Sequence, residues 1–329
     1  MNLSTLISSY QTDPDSPFHK NAWVTRQNYL RNCERIGRDF GAVELSDINA
    51  RLLLRWHESW GADGKVAMGH ALIGMLRTLM TFGATLLESD ECRRVKTILH
   101  DMRFTMPQPR KERMTADQAS AIRAEAHRIG RPSIALAQAC QYEFIWRQKD
   151  VIGEYVPVSE PRPSDLVVQD VKWVAGVRWP EIDDNWTLRH VTNKRKKEVE
   201  INILLAPMVV EELRLLAGIG PQDELLRCYF PWSPPLILNE ATGLPYRDHQ
   251  FRRLWRAIAR SAGVPDEVFN MDSRAGAISE GTDAGADLEM MRHAATHSDI
   301  KMTARYSRGS ADKIKQVQLI RAAHREKAA

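Results

Sequence analysis

Along the first hundred residues the apolar side chains return every three or four positions, and this period constrains the fold more than any other feature. Tyr29, Cys33, Ile36 and Phe40 share one helix face, with Gly41 as the stop. Ser46 opens a second helix carrying Leu52, Leu53, Trp56 and Trp60. A third, from about Val66 to Leu87, turns Leu72, Ile73, Leu76, Leu79, Met80 and Leu86 inward, and a fourth covers about Glu91 to Phe104. Residues 21–106 are therefore expected to form a small all-helical domain. Residues 1–20, polar and broken by Pro14 and Pro17, are expected to form a flexible arm.

Pro107-Gln-Pro109-Arg-Lys-Glu-Arg113 has the composition of an exposed linker, so residues 107–113 should separate that domain from a second one over 114–329. Two domains also suit a length of 329 residues, more than one hydrophobic core normally serves. In the second domain Thr115 and Gln118 have capping-box spacing ahead of an Ala-rich helix to about Arg128. Another helix, starting at Ser133, carries Trp146, Arg147 and Asp150 near its end.

The prolines at 157, 161 and 163 read as loop. The period then becomes that of strands at Val177–Trp179, Trp186–Val191 and Glu198–Ile203, with the basic turn Thr192–Lys197 between the last two. Helical spacing returns after Pro207, with Gly218 as its C-cap, and again at Arg247–Ser261. The chain closes on a basic, mildly amphipathic tail carrying Ile314, Val317, Leu319 and Ile320. The fold class is mainly α with a small antiparallel β-sheet.

Net charge is +4 and the sequence pI about 8.9, which permits a polyanionic partner without requiring one. Four cysteines without CxxC pairing and an N-terminus without a leader pattern favour a reduced, cytoplasmic setting. No apolar run approaches the roughly 18–20 residues that cross a bilayer, so no membrane partner is expected.

Basic residues gather at particular places. Arg26, Arg31, Arg35, Arg38 and Arg77 lie on the first domain, Arg110, Lys111 and Arg113 in the linker, and Lys194, Arg195, Lys196 and Lys197 in the hairpin turn. The ordinary reading is a solvated charged face. The sharper one is a surface for the phosphates of duplex DNA.

A second pattern carries chemistry. Arg147-x-x-Asp150, Lys194, Met271-x-x-Arg274, His297 and Tyr306 follow in order, with 23 residues from Arg274 to His297 and nine more to Tyr306. This series resembles the tyrosine recombinases, or phage integrases, whose pattern is an Arg before a carboxylate, a Lys in a β-hairpin, His-x-x-Arg, a His or Trp, and a Tyr nine residues later. The resemblance covers nearly the whole chain. It implies an N-terminal helical, SAM-like core-binding domain followed by an α+β catalytic domain.

It also implies roles. Arg147 and Arg274 would offer charged donor forks to a phosphodiester's nonbridging oxygens, and His297 would add a hydrogen bond. Asp150 would brace the site. Tyr306 would attack phosphorus to form a 3′-phosphotyrosyl link, which conserves bond energy so that religation needs no cofactor or metal. Lys194, chosen over Lys196 and Lys197 because it stands eight residues before Asn202, would protonate the leaving 5′ oxygen.

Met271 departs from the pattern, since a thioether donates no hydrogen bond to phosphate, and Thr296 stands where the family has Gly. About two dozen residues between Asp150 and Val177 are extra and read most simply as a surface loop. The function implied is site-specific DNA recombination or integration, in a mobile element or a chromosomal resolution system. The chain would be a monomer in solution and a tetramer on DNA, the segment after Tyr306 reaching a neighbouring subunit, with an accessory DNA-bending or directionality protein as a further partner. The rivals are a non-catalytic DNA-binding descendant, favoured by Met271, and relaxation of the type IB topoisomerase kind.

Overall fold

The computed structural model describes residues 1–304; Arg305, Tyr306 and the tail lie outside the described residues. The chain divides into two compact units, Met1–Arg110 and Lys111–Ala329.

The first unit is helical: α1 (Leu3–Thr12), α2 (Trp23–Phe40), α3 (Ala50–Gly61), α4 (Val66–Thr85) and α5 (Asp90–Asp101). The expected arm at 1–20 is corrected by α1, whose Leu3, Leu6, Ile7 and Tyr10 recur at three- and four-residue steps and are buried, with the Asn2 side chain capping its first turn. Gly41 ends α2 as expected but not through a left-handed turn. Its φ is −58°, and a Cβ there would collide with Ser4 Oγ, so the residue is small because α1 passes against it.

Asn49, and not Ser46, caps α3, since its side chain accepts from the Leu52 amide. By length and composition α4 is apolar enough to cross a membrane, contrary to the sequence reading, but Leu72, Ile73, Leu76, Leu79 and Met80 along it are the core of this unit.

The second unit holds α6 (Ala116–Arg128), α7 (Pro132–Glu143), α8 (Gln148–Ile152), α9 (Pro207–Ala217), α10 (Asp248–Ser261), α11 (Asp272–Asp283), α12 (Leu288–Ala294) and α13 (Ile300–Ala304). The capping box at Thr115 and Gln118 is present, and Gly218 ends α9 with φ +68°. Arg131 stands at the N-cap of α7 with Pro132 as its first residue, where a missing amide hydrogen costs nothing.

The residues read as loop and insertion fold instead into a three-stranded antiparallel sheet in the order β1-β3-β2, from β1 (Glu154–Pro157), β2 (Val167–Val168) and β3 (Val171–Val174). Prolines hid it because Pro157 sits at the end of an outer strand, where a missing donor is tolerated. Gly153 (φ +72°) and Gly176 press on the Trp173 ring, leaving no room for a Cβ at either place, and the Trp173 indole donates to the Ile152 carbonyl at 2.9 Å. The neck of the insertion is thus closed by one tryptophan.

The strand expected at Val177–Trp179 is absent: Arg178 makes a single bridge to Pro235 and a 3₁₀ turn follows at Trp179–Glu181. The expected hairpin is real, β4 (Thr187–Val191) pairing with β5 (Glu198–Asn202).

The core of this unit surrounds α7, which is buried on nearly every side. Buried amides fasten α11 to it. Gln141 and Asn270 exchange two hydrogen bonds at 2.8 and 2.9 Å, and Gln138 donates to Ser273 Oγ and accepts from the Trp255 indole. Met114 N donates to the Asp272 carbonyl at 3.2 Å, and its own carbonyl lies where a Cβ on Gly276 would be.

Candidate active site

Two helix ends converge on Arg274. α7 ends at Phe144 and turns through Ile145 at φ +57°, while α12 ends at Ala295 and turns through Thr296 at φ +52°. At each end the two amides past the cap fold back onto the last turn: Ile145 N to Tyr142 O and Trp146 N to Gln141 O, then Thr296 N to His293 O and His297 N to Arg292 O. This is the closure that glycine usually serves, here made with β-branched residues in left-handed backbone.

Arg274, in the first turn of α11 and 6% exposed, donates from Nη1 to the Ile145 carbonyl at 2.7 Å and from Nη2 to the Ala295 carbonyl. Both acceptors are at the negative ends of helices, which favours a buried guanidinium there.

The same two turns deliver the next groups. Arg147 follows Ile145 by two residues, at the N-cap of α8, and its buried Nη1 has no hydrogen-bond partner among the described residues. His297 follows Thr296, is 3% exposed, and shares a 3.0 Å hydrogen bond between Nδ1 and Thr303 Oγ1. Burial, then the charges of Arg274, Arg147 and Arg195, push its pKa down to about 4. At neutral pH it is therefore an uncharged imidazole among three guanidinium groups.

Asp150, 1% exposed on α8, accepts the Asn193 amide through Oδ1 at 2.7 Å, so the carboxylate ties the β4–β5 turn to the helix that starts at Arg147. Lys194 is exposed in that turn, with Arg195, Lys196 and Lys197. Thr192 closes the turn, its amide and hydroxyl both donating to the Lys197 carbonyl. Burial and neighbouring Arg162 lower the Lys196 pKa.

Met271 is 65% exposed one turn before Arg274. Tyr306 lies outside the described residues. Among the described residues no cluster of three His, Cys, Asp or Glu side chains suits a metal ion.

The residues expected on a DNA surface divide. Arg77 is half-buried: its guanidinium donates to the Leu99 carbonyl at 3.1 Å and reaches the Met102 carbonyl, capping the end of α5. Arg35 pairs with Asp39 at 2.6 Å, Arg31 reaches Asn28, and Arg26 donates to the Asn21 carbonyl. Arg113 pairs with Asp283 at 3.4 Å, Lys111 is exposed and Arg110 half-buried. Sequence reasoning missed Asn193, Thr303 and the two carbonyls on Arg274. None of these had a signal in the sequence: Thr303 reaches the imidazole from α13, across the non-helical residues 297–299.

No family model matches the sequence, and no curated protein matches it. Solved structures do. A lambda integrase dimer bound to a COC′ core site aligns with TM-score 0.68 at 14% identity, covering 94% of this chain and 78% of that one. The Tn1549 transposon integrase (residues 82–397 of that protein) in complex with circular intermediate DNA aligns with TM-score 0.61 at 10% identity, over 97% and 99%. The XerH site-specific recombinase bound to a palindromic difH substrate gives 0.58 at 10%, over 96% and 84%. Helical first unit, helix-wrapped second unit and β-hairpin together give this chain the fold of the tyrosine recombinases.

Proposed function

We propose that the chain is a site-specific DNA recombinase that cuts and rejoins strands through Tyr306. The observation that carries this reading is the gathering of Arg147, Arg274 and a neutral His297 beside a lysine-bearing hairpin. Two guanidinium groups match the charge that builds on the nonbridging oxygens as phosphorus is attacked, and a buried Arg147 donor gains most from a phosphate acceptor.

The steps balance. Tyr306 Oη gives up its phenolic proton to water and forms the bond to phosphorus. The bond to the 5′ oxygen breaks, and Lys194 Nζ supplies the proton that oxygen takes. The reverse transfer rejoins the strand. Lambda integrase has been crystallised as a tetramer on a Holliday junction and the Tn1549 integrase with its circular intermediate DNA. Those neighbours support the same duplex DNA partner and a tetrameric synapse here.

A suicide duplex nicked beside the cleavage point tests the reading: wild-type protein should form a covalent adduct that Tyr306→Phe abolishes. No adduct from wild type removes the reading. Met271 supports a second one, a DNA-binding descendant without cleavage, because an exposed thioether stands one turn before Arg274. Met271→His should raise adduct yield in a working enzyme and leave such a descendant inert.

A further inference from the structure

We infer that Asn193 is a positioning residue for Lys194, and that the sheet inserted between Gly153 and Gly176 exists in part to hold it. The inference rests on the recombinase reading above. Asn193 precedes Lys194, and its backbone N–H and both polar atoms of its side chain are engaged. Its amide donates to Asp150 Oδ1 at 2.7 Å and its side-chain nitrogen to Glu154 Oε1 at 2.7 Å. Its side-chain oxygen accepts from Arg162 Nη1 at 3.0 Å and from Lys196 Nζ at 3.4 Å.

Asp150 belongs to α8, Glu154 to β1 and Arg162 to the loop between β1 and β2, so two of the three anchoring residues come from the inserted sheet. That sheet is itself fixed at its neck by Trp173 between two glycines. Glu154 is further held by Lys149 of α8.

A general acid contributes only when its proton lies within hydrogen-bond reach of the leaving oxygen, and a displacement of about 1 Å at such a group costs on the order of 100-fold in rate. A lysine on a free turn would meet that condition only part of the time. One on a turn pinned at its base keeps its backbone in register with Arg147, because Asp150 ties the turn to the helix that Arg147 begins.

The test uses two suicide duplexes that differ at one atom, the bridging 5′ oxygen or sulfur of the scissile phosphate. A thiolate leaves without a proton, so a defect in general acid catalysis disappears on the sulfur substrate, while a defect in folding, DNA binding or nucleophilic attack persists. Asn193→Ala should cleave the oxygen substrate about 10- to 100-fold more slowly than wild type and approach the wild-type rate on sulfur, with DNA affinity unchanged. Asn193→Asp, which keeps the shape but repels Glu154, should behave alike, and Arg162→Ala should show a smaller loss with the same rescue.

Lys194→Ala is the control. If it is rescued by sulfur and Asn193→Ala is not, or if Asn193→Ala cleaves the oxygen substrate normally, the positioning role is wrong. If Lys194→Ala is not rescued, the general-acid assignment falls and takes the inference with it. The recombinase reading then still stands on the wild-type adduct and its loss in Tyr306→Phe.

Discussion

At His297 one residue couples fold and chemistry. An imidazole buried beside Arg274, Arg147 and Arg195 resists protonation, with a pKa of about 4 against an ordinary 6.5. Above pH 6.5 both folded and unfolded chains hold it neutral, so it does not affect stability there. Between about 6.5 and 4 the unfolded chain takes up the proton and the folded chain does not, so folding stability must fall as pH falls through that window and level off below it. The melting temperature followed from pH 7 to 4 should decline, and the decline should be shallower in His297→Gln, which cannot titrate. An equal slope in the variant would show that other groups set it. The same neutrality suits a hydrogen-bond donor to phosphate, and Nδ1 against Thr303 fixes the ring for that task.

At the scale of elements, the site depends on how α11 docks. Its position is set by buried amide pairs to α7 and by the close passage of Met114, which Gly276 alone permits. Gly276→Ala would drive a methyl group into a backbone carbonyl that cannot rotate away, at a cost of roughly 1–3 kcal/mol. The expected result is a lower melting temperature together with loss of cleavage, because Arg274 rides on the displaced helix. Unchanged stability would mean that the segment before Thr115 yields without moving α11.

Elements were unequally legible. Long amphipathic helices such as α4 declare themselves by period, while type and spacing single out Arg147, Asp150, Arg274 and His297 only as candidates. The helix α1 is also written in Leu3, Leu6, Ile7 and Tyr10, although Pro14 and Pro17 just beyond it carry a loop signal. The inserted sheet was not legible, since strands of two to four residues leave no period and their partners are set only by the fold. Nor was Asn193, whose three anchors are spread over residues 150 to 162.

Among the described residues two large cores, one in each unit, are joined by a segment without helix or strand. The first core is built from residues between Leu3 and Leu99, the second from residues between Met114 and Ala277, and the two share none. Between Met102 and Thr115 the chain has no regular structure, and it carries Arg103, Arg110 and Lys111 before Met114 is tied to α11. Such a segment can enter a protease cleft in extended form, which a packed helix cannot. Among the described residues a second basic candidate is the turn 194–197, exposed but fastened at Asn193 and Thr192. Limited trypsin treatment should therefore cut first between 103 and 111 and leave two fragments that each unfold cooperatively. If the linker follows the phosphate backbone as its charge suggests, duplex containing the target site should slow that cut, and added salt should restore it as the counterions return. Early cleavage at 194–197 instead would show that the hairpin opens readily in solution, and would count against a pinned Lys194 as much as against a vulnerable linker.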